Sequence, residues 1–115
     1  MKVGKMKVED VLNIENCEVL FEGEKSRDIS KVFCCDLLSI AMAKAPQDGV
    51  WVTVMGNRNT LAVATLADVA CIVLAEGATF DVATLEQART EGIAVVRTES
   101  SVFDIALEIY QLGNS

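Results

Sequence analysis

Three short apolar runs, Val50-Trp51-Val52-Thr53-Val54, Cys71-Ile72-Val73-Leu74-Ala75 and Ile93-Ala94-Val95-Val96, begin 21 and 22 residues apart. None keeps the apolar–polar alternation of a strand with one wet face. Continuous apolar runs of this length, rich in Val and Ile, read as strands buried on both faces. A polar or glycine-containing break follows each run, and then apolar positions at helical spacing. That alternation builds a parallel sheet whose strands are joined by helical crossovers. The spacing is that of one strand plus one helix, not of a solenoid repeat.

The rest of the chain fits around this rhythm. Val8, Val11 and Leu12 predict a short helix ending near Asn13. Cys17-Glu18-Val19-Leu20-Phe21 reads as a strand, Gly23-Glu24-Lys25 as a turn, and Ile29 to Cys35 as a second extended segment. Asp36 stands where an N-cap belongs, ahead of Leu37, Leu38, Ala41 and Met42 on one helical face. Ala45-Pro46 ends that helix, because the residue before proline avoids the helical region. Further helices are expected near Thr60–Val69, Thr84–Glu91 and Val102–Leu112. The prediction is one α/β domain over residues 1–115, with a mainly parallel central sheet flanked by helices. The three rhythmic strands form its centre, and the other two extended segments lie toward the edge or form a small adjunct.

The last helix carries more apolar surface than one sheet contact needs. At 100° per residue, Val102, Ile105, Ala106, Ile109 and Leu112 make a core face. Phe103, Leu107 and Tyr110 make a second stripe beside it. Either the N-terminal segment covers that stripe or another chain does. A two-fold homodimer is the expectation, with Phe103, Leu107 and Tyr110 as its candidate interface.

Composition removes several function classes. The net charge of −7 argues against a nucleic-acid surface, which needs clustered Lys and Arg to neutralise phosphates. No apolar stretch approaches the roughly 20 residues of a membrane helix. The start, Met1-Lys2-Val3-Gly4-Lys5-Met6-Lys7, has positive charge without an apolar region behind it, so no secretory leader is expected. The four cysteines match a cytoplasmic location. Cys17 and Cys71 fall in strand patterns, and the adjacent Cys34 and Cys35 point to opposite faces of an extended segment, which suits neither mutual disulfide nor chelation. With no histidine and no C-x-x-C pair, neither a metal site nor a cofactor is expected.

Catalytic equipment is equally sparse. A serine nucleophile lacks a histidine base, and Gly56-Asn57-Arg58-Asn59-Thr60 does not match a phosphate-binding loop. Asp36, Asp48, Glu76 and Glu99 stand at loops and helix starts, where capping and solvation account for them. The chain is therefore not expected to be an enzyme. A ligand site, if there is one, belongs at the carboxyl ends of the parallel strands. There Asn57, Arg58, Asn59 and Thr60 offer a helix start, capped by Asn59 or Thr60, beside a planar cation. Glu76-Gly77 and Thr98-Glu99-Ser100-Ser101 stand at neighbouring strand ends, the serines as caps of the last helix.

Arg27-Asp28-Ile29-Ser30-Lys31-Val32-Phe33-Cys34-Cys35-Asp36-Leu37-Leu38-Ser39 resembles the signature of the DRTGG domain family. In that family an Arg, a Thr-Gly-Gly and an aromatic lead into a Ser-Asp-Leu-Leu-Ser helix start. The resemblance continues through Gly49-Val50-Trp51-Val52-Thr53, Asn59-Thr60-Leu61-Ala62-Val63-Ala64, Ala75-Glu76-Gly77, Glu91-Gly92-Ile93 and Phe103. It implies a regulatory or assembly domain, often dimeric, with no established reaction, and similar to the N-terminal domain of HPr kinase/phosphorylase. Arg27 and Ser30 join the candidate ligand residues on this ground. Lys31 and Val32 stand where the family has its glycines, which disfavours an anion-cradling loop there. Two functions follow. One is a non-catalytic regulatory or scaffold domain that homodimerises and engages a partner protein. The alternative is a small-ligand sensor that takes a nucleotide or phosphorylated metabolite, a small anionic ligand, at the strand ends.

Overall fold

In the computed structural model, residues 6–113 are described. Met1–Lys5, most of the segment read above for a leader, and Asn114–Ser115 lie outside the described residues. The elements are α1 (Val8–Leu12), β1 (Cys17–Phe21), β2 (Val32–Cys34), α2 (Leu38–Lys44), β3 (Val50–Thr53), α3 (Arg58–Ala67), β4 (Cys71–Leu74), α4 (Val82–Glu91), β5 (Ala94–Thr98) and α5 (Val102–Gly113). They form one five-stranded sheet in the order β1-β5-β4-β3-β2. The three rhythmic runs are its centre, as their apolar continuity requires. β2, β3, β4 and β5 run parallel, and β1 closes one edge antiparallel to β5. The two extended segments of the N-terminal half are thus the two edges.

Strand alternation feeds two separate cores. Val50, Val52, Cys71, Val73, Ala94 and Val96 face one side, where α1 and α5 cover them with Val8, Val11, Ile105 and Ile109. Trp51, Ile72, Leu74 and Val95 face the other, beneath Ala41, Leu61, Ala64 and Ala88 of α2, α3 and α4. Every residue of β3 and β4 is buried. Helices on both faces are the only way to dry such strands. On the second face the Arg89 guanidinium of α4 lies 5.0 Å from the Phe21 ring centre, tying that helix to the β1 edge.

Local chemistry differs from the expectation at three helix boundaries. Asp36 does not cap α2: the N-cap position is Leu37, with no side-chain cap bond. The Asp36 carboxylate instead turns back to the end of β3. Asn57, not Asn59 or Thr60, caps α3. Leu112 is exposed rather than part of the α5 core face, which Gly113 completes beside Met6. The end of α2 at Ala45 and the capping of α5 by Ser101, whose Oγ accepts from Asp104 N at 3.1 Å, are as expected.

Gly23 sets how closely the chain leaving β1 passes the sheet. Its φ is +61°, and a Cβ there would stand 2.6 Å from Ala94 N. Both facts exclude a side chain. Gly23→Ala is expected to lower stability by about 1–3 kcal/mol in urea unfolding, the scale of a strained backbone position. An unchanged midpoint would show that the β1–β5 edge relaxes freely.

Candidate functional site

Because β2, β3, β4 and β5 are parallel, their carboxyl ends gather four loops on one side of the molecule. Their polar groups are spent largely on one another. Asp36 Oδ1 accepts from Thr53 Oγ1 at 2.6 Å and from Val54 N at 2.9 Å, and Thr53 Oγ1 accepts from Met55 N at 3.1 Å. Trp51 Nε1 donates to Cys35 O at 2.9 Å, which fixes the chain leaving β2 to β3. Gly56 packs so closely on Thr79 O that a Cβ would collide with it. At the β5 end, Arg97 donates to Gly77 O at 3.0 Å, Glu99 at 2.9 Å and Glu18 at 3.2 Å. Hydrogen bonding to Glu99 and then Glu18 pushes the Arg97 pKa up, so it stays a cation. Asn16 ties β1 to the same cluster, its Nδ2 donating to Ser100 Oγ at 2.8 Å and its carbonyl accepting from Thr98 Oγ1 at 2.9 Å.

The candidate ligand residues fall into two groups at opposite ends of the sheet. At the carboxyl end, Asn57 Oδ1 accepts from Asn59 N at 2.9 Å and Thr60 N at 3.2 Å. Those amides are the ones an anion at the helix start would use. The Thr60 side chain is buried, with Oγ1 donating to Met55 O at 2.7 Å. Arg58 and Asn59 are exposed, and line a cleft of about 670 Å³ between α3 and α4 with Ala62, Leu66, Ala83 and Gln87. Arg58 also lies near Asp81, the cap of α4. The Asp81 carboxyl is held below its usual range by hydrogen bonding to Thr84 first and by the positive charge of Arg58 last.

Arg27 and Ser30 lie at the amino end of the strands instead. Arg27 donates Nε to Asp48 Oδ1 at 2.9 Å and Nη2 to Asp68 O at 2.7 Å, and pairs with Asp68 Oδ1 at 3.0 Å. Its side chain is only 17% exposed. Asp48 and Asp68 both have φ of +61°, in the turns that enter β3 and β4. Ser30 Oγ donates to Gln47 O at 2.6 Å in the same cluster. One guanidinium thus clamps the two loops that launch the central strands. No local signal marks its partners, which stand 21 and 41 residues away in sequence.

Burial pushes the Cys17 thiol up to about 11, with help from Glu108, and the Cys71 thiol to about 12. Burial and then Asp36 raise Cys34 as well. Cys17 and Cys71 are thus protonated at neutral pH and poor nucleophiles, whereas Cys34 is exposed to solvent. No group of three His, Cys, Asp or Glu among the described residues is placed to hold a metal ion, and no described helix is long and apolar enough to cross a membrane.

Two outcomes follow from these networks. Arg27→Met is expected to cost about 1–3 kcal/mol, the scale of hydrogen bonds to charged groups. A loss under about 0.5 kcal/mol in chemical unfolding, the scale of a surface substitution, would make the clamp incidental. Asp81→Ala is expected to destabilise at neutral pH and to become neutral in acid. The depressed folded pKa means the ionised cap stabilises above the ordinary carboxyl value and loses that advantage as pH falls through the folded one. A melting-temperature difference independent of pH would contradict it.

Comparison with known proteins places this arrangement. The crystal structure of the CBS and DRTGG domains of the regulatory region of Clostridium perfringens pyrophosphatase, complexed with the activator diadenosine tetraphosphate, matches with a TM-score of 0.71 at 17% identity. The match covers 90% of this chain and 44% of that one, so the chain spans less than half of that protein's regulatory region. No curated protein matches the chain. The family model of the DRTGG domain matches residues 10–112, and by that match the chain belongs to the DRTGG domain family.

Proposed function

We propose that this chain is a non-catalytic regulatory domain that forms a two-fold dimer and presents it to a partner protein. The observation that carries the reading is the second stripe of α5. Phe103 is 70% exposed, Leu107 40% and Tyr110 58%, although the core face of the same helix is dry. Full burial of a large apolar side chain contributes about 1.5–3 kcal/mol, so a stripe repeated by symmetry offsets much of the cost of association. The strand-end networks support the non-catalytic part. Their carboxylates and hydroxyls hold loops together, and no histidine is available as a general base. All four cysteines are free thiols, which suits a reducing, cytoplasmic setting.

The cleft beside Arg58 favours a second reading, a sensor of a small anionic ligand. The pyrophosphatase regulatory region of similar fold was crystallised with a nucleotide activator. A thermal-shift series with adenine nucleotides separates the readings. Ligand binding to the native state alone raises its melting temperature, and Arg58→Ala removes that rise only if the cleft is the site.

Light scattering at micromolar concentration is expected to give twice the 12.4 kDa chain mass. Leu107→Glu is expected to give a folded monomer, with an association constant at least about tenfold weaker, equivalent to 1.4 kcal/mol. A wild-type monomer throughout would refute the dimer. A folded, undiminished Leu107→Glu dimer would remove α5 from the contact.

A further inference from the structure

Resting on the dimer reading, we infer that the outer edge of β2, which no described residue pairs, is the pairing surface, joined antiparallel to β2 of a second copy across a two-fold axis at Phe33.

The edge is built to accept a strand. Lys31 O accepts from Val50 N, and Cys35 N donates to Val52 O. With the parallel register Val32↔Val50 and Cys34↔Val52, residues 31, 33 and 35 bond to β3. Successive residues of a strand direct their N–H and C=O groups to opposite sides, so those of Val32 and Cys34 point away from the sheet. No described residue pairs with them. Among the described residues, the nearest pairing is the bridge Lys7↔Asp28, with Ile29 N donating to Met6 O. An antiparallel partner centred on Phe33 sets Val32 of one copy opposite Cys34 of the other, twice, and satisfies all four outward pairs. The pattern is self-complementary, as a two-fold contact demands.

The flanks agree. α5 lies over β2 and β3. Phe103 and Leu107 are exposed on that helix, outside its core face. On the other face of the sheet, Leu37, Ile40 and Met42 at α2 are exposed. The β1 edge has the opposite character. A bulge between Val19 and Phe21 and the charged Glu18 and Glu22 blunt it.

Cys34 supplies the test, being the exposed cysteine of the four. In the predicted ladder the two copies of Cys34 are diagonal neighbours, about 7–8 Å apart. A short bis-maleimide added to the full chain is expected to give a covalent dimer, lost in Cys34→Ser and kept in Cys35→Ser. Cys34→Pro removes one outward amide without touching the β3 ladder, and is expected to weaken association at least tenfold by light scattering. Should that variant misfold, the cross-link decides alone. A dimer with no Cys34 cross-link, undisturbed by Cys34→Pro, overturns this surface and leaves the dimer reading standing. A wild-type monomer overturns both. A monomer that pairs only after deletion of residues 2–5 assigns the edge to the chain's own N-terminus and overturns the inference for the intact protein.

Discussion

Everything in this fold answers to the burial of three central strands on both faces. β3, β4 and β5 contribute side chains alternately to two cores, and none of the three can tolerate water on either side. Helices must therefore cover both faces, and each strand-to-strand return must cross over one of them. The same constraint explains the clamp at the amino end of the strands. Arg27, Asp48 and Asp68 hold the two turns from which β3 and β4 start, with their left-handed aspartates, in register. At the carboxyl end, Asp36, Thr53 and Arg97 do the matching work of closing loops over dry strand ends. Polar groups that resemble candidates for chemistry are consumed in supporting the sheet.

What the sequence reveals follows from the range of each interaction. The central strands, the end of α2 at Ala45-Pro46 and the α5 cap at Ser101 rest on nearest-neighbour chemistry and were legible. Cap positions shifted by one to three residues, because Asn57, Asn59 and Thr60 are all competent caps and only the packed Thr60 hydroxyl decides among them. Asp36 looked like a cap because its second role, binding Thr53 and Val54, is a tertiary contact. The candidate ligand set was legible as residue types and not as a site. Arg27 and Ser30 lie at one end of the strands and Arg58 at the other, a separation invisible without the strand directions. Val32, which replaces a family glycine, packs its side chain against the α5 core, so that segment is a strand and not an anion loop.

The features left over after the core is assembled are what suggest a role. They are an α5 flank with large apolar groups in water, a similar excess on α2, and between them a three-residue strand whose outer groups no described residue meets. A chain with net charge −7 repels its own copies at long range, so attraction has to come from contact. An edge ladder flanked by apolar side chains is a contact of that kind.

The most direct measurement is amide hydrogen exchange at Val32 and Cys34 as a function of protein concentration. The account predicts that both amides exchange rapidly in dilute solution and become protected as the protein associates, while Phe33, bonded to β3, is protected throughout. Exchange at Val32 and Cys34 that stays fast across the association range would contradict it.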